Sequence, residues 1–314
     1  MLNKSKCLCG NPTNNAKFIT NEIRFGKKAN VIQCNKCSLI YLDKDSFTLP
    51  SDFYEAEYHQ TYLTHVEPDA LNPDKYYQKM LKSTKIWADR MKNILNGSEV
   101  VLDVGCSTGH FIKLIESKAK TVFGHEISKK EVQFCKDKLG LNVDSIPLSE
   151  RFEKNTFDYI TLIFVLEHID NPIQFLKDLS QFLKPSGKII ILVPNANDAL
   201  INLYNIPKFN EFYYCIEHLY YYTPETINMV FEKVGLSGKI KTLQEYPITN
   251  HLNWGYREKP SDVLKSRKEI PDISIMDENL EIKWETFWKD TNNRYKKFLN
   301  TQGYGDRIWC EVGF

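Results

Sequence analysis

Two short cysteine pairs open the chain, Cys7-Leu8-Cys9 and Cys34-Asn35-Lys36-Cys37, with 24 residues between them. Thiolates so paired are the donor set of a tetrahedral Zn²⁺ site. Four protein ligands leave no open position on the ion, so the expected role is structural. The other four cysteines, Cys106, Cys135, Cys215 and Cys310, are scattered, which argues against a disulfide framework. A second chemistry lies in Asp103-Val104-Gly105-Cys106-Ser107-Thr108-Gly109, between a β-branched run and a helical pattern. Gly105 lets the backbone turn at the carboxyl end of a strand, and Gly109 allows close approach to a ligand. Cys106 fills a place where the turn needs a small residue, and is not read as a nucleophile. Glu126 closes the next strand pattern 21 residues after Gly105, where a carboxylate can accept from both hydroxyls of a ribose. The spacing is neither Gly-x-Gly-x-x-Gly nor a P-loop, so the turn is not built mainly to cradle phosphate.

A third group is Glu217-His218, inside the aromatic run from Glu211 to Pro224 that includes Tyr214. A neutral imidazole near pH 7 can act as a general base, and the adjacent carboxylate can orient it. The competing reading is a histidine that satisfies backbone groups beside an aromatic core. Asn250 and His251, in the polar and aromatic stretch from Tyr246 to Trp254, are candidates for a sugar pocket or for a loop packed on later helices. Tyr54, Tyr58 and Tyr62 are candidates for a lid, or for ordinary packing.

The elements that must position these groups follow from periodicity. Residues 75–96 carry Tyr77, Met80, Trp87, Met91 and Leu95 at helical spacing, closed by Gly97. Strands are expected at 100–104, 121–126, 141–143, 157–165, 188–193 and 238–246, with helices at 110–118, 129–139, 171–183 and 224–234. Alternating strands and helices predict an α/β fold, a doubly wound, mostly parallel sheet with helices on both faces. The expected organisation is a zinc-binding module at 1–48, a helical lid or substrate segment at 49–97, a nucleotide-ligand domain at 98–248 and a helical C-terminal segment at 249–314.

Bulk composition narrows the class. The 314 residues carry 41 Lys/Arg against 40 Asp/Glu, a net charge of +1, which does not point to a nucleic-acid or membrane binder. Residues 1–40 are locally basic, with seven Lys/Arg against Glu22. No run approaches the ~18 apolar residues that span a bilayer, and the N-terminus lacks a secretory pattern. The expected location is cytoplasmic.

The glycine turn resembles the first motif of class I S-adenosylmethionine-dependent methyltransferases. The resemblance continues, in the family's order, through Phe157-Asp158-Tyr159-Ile160, Val165-Leu166-Glu167-His168-Ile169 and Leu183-Lys184-Pro185-Ser186-Gly187-Lys188, over roughly residues 75–240. It implies a Rossmann-like sheet and S-adenosylmethionine as cofactor. Asp103 and Gly105 would hold its methionine end, Glu126 its ribose, and residues from Asp144 to Leu148 would flank the adenine. Cys106, Gly109, Phe164 and His168 would shape the same site.

The cysteine module before this domain resembles that of bacterial sugar methyltransferases, in which nearby tyrosines help build the acceptor pocket. Glu217-His218 is similar to the Glu-His pair of that family, whose histidine is a candidate base. The resemblance implies an O-methyltransferase acting on a small molecule, a sugar or nucleotide sugar for surface polysaccharide. The C-methylating branch carries a longer C-terminal domain than residues 249–314 supply. C- or N-methylation, an RNA methyltransferase with a zinc-binding recognition module, and a non-catalytic cofactor sensor are the alternatives.

Overall fold

In a computed structural model of the chain, described over residues 6–48, 71–260, 267–271 and 278–314, the β-branched runs become strands of two sheets. β1 (Ala16–Ile23), β2 (Lys27–Cys34) and β3 (Ile40–Leu42) form an antiparallel meander next to the cysteines. The larger sheet takes β4 (Val100–Val104), β5 (Thr121–His125), β6 (Val143–Asp144), β7 (Phe157–Ile163) and β8 (Leu183–Pro194), all parallel to one another. β9 (Tyr220–Tyr221) leaves that sheet and pairs antiparallel with β3, Ile40 opposite Tyr221. β10 (Ser237–Leu243) and β11 (Arg307–Gly313) complete the larger sheet in the order β10-β11-β8-β7-β4-β5-β6, with β11 antiparallel to both neighbours. The winding reverses between β4 and β7, and the loops leaving their carboxyl ends diverge there to open a crevice.

Alternation along the strands divides the core between the two faces, because successive side chains point opposite ways. Leu102, Ile189 and Ile191 face one way and meet Leu176 and Leu179 of α4 and Ile227, Val230 and Phe231 of α6. Val101, Ile190 and Leu192 face the other way and meet Trp87 and Met91 of α1, Phe111 and Ile112 of α2 and Val132 of α3. In chain order these helices are α1 (Pro73–Lys92), α2 (His110–Ile115), α3 (Lys129–Leu139), α4 (Pro172–Ser180), α5 (Pro207–Tyr213), α6 (Pro224–Val234), α7 (Ile248–Arg257) and α8 (Glu278–Thr301). Each fully buried Leu or Ile on either face contributes about 1.5–3 kcal/mol. Local signals fix the ends. Asn72 caps α1 by accepting from the Lys75 amide, and Thr223 and Thr226 form a capping box on α6.

The segments expected from sequence do not map one to one onto these layers. β9 lies within 98–248 yet completes the N-terminal sheet. The C-terminal segment is helical through α7 and α8, and it adds β11, a strand absent from the sequence reading. Ile308, Cys310 and Val312 point into one core and Trp309 into the other, so β11 is sandwiched between β8 and β10 rather than lying at an edge. No helix among the described residues is long and apolar enough to cross a membrane.

Candidate active site

The glycine turn leaves the carboxyl end of β4 at the reversal point. The amides of Gly105 and Cys106 both donate to the His125 carbonyl, at 2.8 and 3.2 Å. Gly105 and Gly109 have φ of +71° and +72°, the left-handed region that side chains avoid. Space excludes a side chain as well: a Cβ on Gly105 would come within 2.7 Å of Val165, and one on Gly109 within 2.5 Å of Leu141. Glu126, just past β5, accepts from the Ser107 amide at 2.9 Å through one oxygen and from the Ser128 amide at 2.9 Å through the other. A carboxylate oxygen has two lone pairs, so both oxygens retain acceptor capacity toward a ribose.

Asp103 lies beneath the turn, 3% exposed, and takes the Thr161 hydroxyl at 2.6 Å. Burial pushes its carboxyl up to about 7, against the Thr161 hydrogen bond. Cys106 is buried against Gly124, and burial raises its thiol well above the ordinary range, as befits an inert packing thiol. Asp144 ends β6, bound to Lys136 and the amides of Ser145 and Ile146. Ile127 and Ile146 stand beyond β5 and β6, 49% and 42% exposed. Ile146 lies in the 144–148 stretch expected beside the adenine, whereas Ile127 was not singled out from sequence. A turn closed to side chains at Gly105 and Gly109 and a carboxylate just past the next strand fit a nucleoside-bearing ligand such as S-adenosylmethionine.

The loop after β7 connects this crevice to a second one. Val165 packs on Gly105, while its neighbours Phe164, Glu167 and His168 line a cleft of about 820 Å³. Phe164 has φ +57°, costly for an aromatic residue. Its amide donates to the Leu192 carbonyl at 2.8 Å, and its ring meets Trp87 edge-on at 4.9 Å. The cleft brings together Phe164, His168, His218, Asn250 and His251 of the residues singled out from sequence. The hairpin tip between β1 and β2, which packs on α5, lines the cleft together with α5 and α7. Arg24, from that tip, donates to the Phe212 carbonyl at 2.6 Å and lies 4.3 Å over the Phe212 ring. Neither Arg24 nor the hairpin was read from sequence as part of the site.

His218 faces His168 edge-on, ring centroids 4.8 Å apart. Enclosure in the cleft, then the neighbouring His168, Arg24 and Arg307, hold His218 well below the ordinary histidine range. Enclosure likewise brings His168 down to about 4, against its contact with the Glu217 backbone. Both rings are therefore neutral at pH 7. Glu217 turns its carboxylate to Arg24, 3.8 Å away.

Two expected substrate residues are used otherwise. Tyr214 is 3% exposed and packs edge-on against Tyr213 and Tyr221, centroids 5.5 and 5.0 Å away; the apolar core is the lower-energy place for its ring. His251 lines the cleft wall, but both ring nitrogens are held within the protein, by Tyr295 and Gln244. Tyr54, Tyr58 and Tyr62 lie outside the described residues.

The four N-terminal cysteines converge. Their sulfurs all lie within 4.8 Å of one another, with Cys7–Cys37 at 3.5 Å and Cys9–Cys34 at 3.6 Å. A tetrahedral ion with ~2.3 Å Zn–S bonds separates its sulfurs by about 3.8 Å, so this donor set fits Zn²⁺. Burial pushes the Cys7 thiol well up. Burial acts the same way on Cys34, but hydrogen bonds from the Cys37 and Lys36 amides outweigh it and bring that thiol down to about 7. The module is tied to the cleft: the Leu42 amide donates to Leu219 at 3.0 Å, and the Leu219 amide to Glu167 at 2.8 Å. The strand that follows His218 is thereby the outer strand of the cysteine-bearing sheet.

Comparison with known proteins agrees with this geometry. A demethylmenaquinone methyltransferase of Oceanobacillus iheyensis is 30% identical over 155 residues, 46% of this chain and 63% of that one. A tRNA U34 carboxymethyltransferase of Nautilia profundicola is 27% identical over 180 residues, 49% of this chain and 57% of that one. The chain thus spans about three-fifths of the length of these curated relatives. Among solved structures, an S-adenosylmethionine-dependent methyltransferase from Archaeoglobus fulgidus aligns with a TM-score of 0.48 at 20% identity, covering 74% of this chain and 93% of that one. Residues 77–238, just over half of the chain, match the methyltransferase domain family. The chain belongs to that family, and this region is an S-adenosylmethionine-dependent methyltransferase domain with a Rossmann-like sheet.

Proposed function

We propose that the protein O-methylates a small hydroxylated acceptor, a sugar or nucleotide sugar, in the cleft beside the glycine turn. Bound S-adenosylmethionine supplies an electrophilic methyl on a sulfonium. Glu126 holds the ribose, Ile127 and Ile146 flank the adenine, and Gly105 and Gly109 let the backbone approach the amino-acid end. His218 accepts the acceptor's hydroxyl proton as a neutral imidazole, positioned by the hydrogen bond from the next residue, Leu219, to Glu167 and by edge-on packing against His168. Cys7, Cys9, Cys34 and Cys37 hold a structural Zn²⁺, which keeps β3 in place beside β9.

The observation that carries the acceptor class is the lining of the cleft. Phe164, Phe212 and Tyr246, all partly exposed, line the cleft, and aromatic rings suit the C–H faces of a sugar ring. Lys27 lines the same cleft, and a cation there suits a phosphate. Incubation with labelled S-adenosylmethionine and a panel of nucleotide sugars, free sugars, a demethylmenaquinol and tRNA, read by mass spectrometry, tests this. Label is expected on a sugar oxygen. Label on the quinol ring or on tRNA, with none on any sugar, overturns the reading.

The ribose role has its own test. Glu126→Gln removes the negative charge that strengthens hydrogen bonds from the two hydroxyls, each worth ~1.5–3 kcal/mol when one partner is charged. Calorimetry is expected to show about a tenfold or greater loss of S-adenosylmethionine affinity. Unchanged affinity would sink the assignment.

A further inference from the structure

The cleft contains a group of potential ligands separate from the cysteine quartet. We propose that Glu167, His168 and His218 bind one divalent cation at the floor of the cleft, with open coordination positions facing the acceptor. One carboxylate oxygen and one nitrogen from each ring lie within 4.8 Å of one another. Small side-chain rotations bring three such atoms onto one ion with bonds of about 2.0–2.2 Å. The backbone already fixes the pairing, since the Leu219 amide donates to the Glu167 carbonyl at 2.8 Å and holds the segment carrying His218 against the turn carrying the other two ligands.

Glu167 supplies an independent observation. It is 1% exposed, and neither carboxylate oxygen accepts a hydrogen bond from another described residue. A buried carboxylate without a partner is costly, and proteins pair it or give it to a metal. Among the described residues no lysine or arginine lies at ion-pair distance from it, and the Arg307 attraction is longer in range. Cys215 and Glu217 form another group with His218, but Glu217 is engaged by Arg24. Two imidazoles and one carboxylate are the donor set of Mn²⁺, Fe²⁺ or Zn²⁺, and three protein ligands leave positions for substrate oxygens.

A cation here polarises an acceptor O–H. That bond breaks heterolytically, the proton passes to bulk water and the electron pair stays on oxygen. The inference rests on the acceptor-cleft reading and replaces one step in it, because a His218 nitrogen bound to the cation is no longer the proton acceptor.

The test uses the full chain with the metal of its cysteine cluster in place, and no acceptor. Mn²⁺ is the probe, because thiolate sites disfavour it; binding is read from the loss of its free-ion electron paramagnetic resonance signal. One Mn²⁺ per chain is expected. Glu167→Gln and His168→Gln should each weaken it about tenfold or more, with zinc content unchanged. If Glu167→Gln does not fold, His168→Gln, on a partly exposed ring, carries the comparison. Absence of binding up to about 1 mM Mn²⁺, or equal binding by wild type and folded variant, overturns the proposal; a millimolar threshold corresponds to ~4 kcal/mol of affinity. A protein that methylates sugars without binding Mn²⁺ keeps the acceptor reading and loses this one. One that binds Mn²⁺ but methylates no sugar does the reverse.

Discussion

Replacing His218 by Ala is expected to lower turnover on the true acceptor by about 100-fold or more, since positioned general bases contribute roughly 10²–10⁴. S-adenosylmethionine affinity should stay within a factor of about 2, a difference below ~0.5 kcal/mol, because His218 lines the acceptor cleft and the glycine turn lies across the 164–168 loop. The pH profile supplies a second readout. A base whose pKa is depressed is already deprotonated above that depressed value, so its active form persists as pH falls and is lost only in more acid solution. An unperturbed histidine would be half protonated near pH 6.5. His218 is held well below that range, so kcat/KM should show no acid limb between about pH 8 and 6.5. Turnover within a few-fold of wild type in His218→Ala would remove the residue from the reaction. An acid limb centred near pH 6.5 would show that its surroundings leave it an ordinary imidazole.

The second large effect belongs to the cysteine cluster. Structural zinc in small modules supplies roughly 10–16 kcal/mol of apparent binding free energy that doubles as folding free energy. Stripping the metal, or making Cys34→Ser, is expected to melt the β1–β3 meander. β3 then loses its register with β9, and the Leu42–Leu219 hydrogen bond goes with it. Since Leu219 directly follows His218, acceptor turnover should fall about tenfold or more, equivalent to ~1.4 kcal/mol or more in the barrier. S-adenosylmethionine affinity should hardly change, because the glycine turn and Glu126 belong to the other sheet. Circular dichroism, metal analysis and calorimetry on one sample separate these outcomes. A demetallated protein that keeps full acceptor turnover would show that the module does not position His218.

How far the sequence foretold this can be argued element by element. The glycine turn, Glu126 and strands β4 to β8 were legible because each rests on local signals: β-branched runs, a turn that needs left-handed residues, and helix ends marked by Gly or Pro. The cysteine quartet was legible from spacing alone. The cleft was only half legible. His218 and Asn250, and His168, which was read as shaping the cofactor site, all line it, yet Arg24 is nearly 200 residues from His218 in the chain, and no periodicity links a hairpin tip to a distant turn. Tyr214 was misassigned because an aromatic run reads the same whether its rings face a ligand or one another; the pairing of β9 with β3 decided it here. Glu167 was quoted as part of a motif, but its lack of a partner is visible only in three dimensions.

The position of β11 sets an order of events during synthesis. Arg307 pairs with Pro194 on one side and with Leu243 on the other, contacts far apart in the chain and correspondingly slow to form. Until residues 307–313 leave the ribosome, β8 and β10 have no strand between them, and each presents an unsatisfied hydrogen-bonding edge. The nascent domain is then a half-sheet with two exposed edges, a state in which mispairing with another chain competes with folding. Cofactor crevice and acceptor cleft both meet at the carboxyl ends of β4, β7 and β8, so they reach their final form only when this late strand slots in.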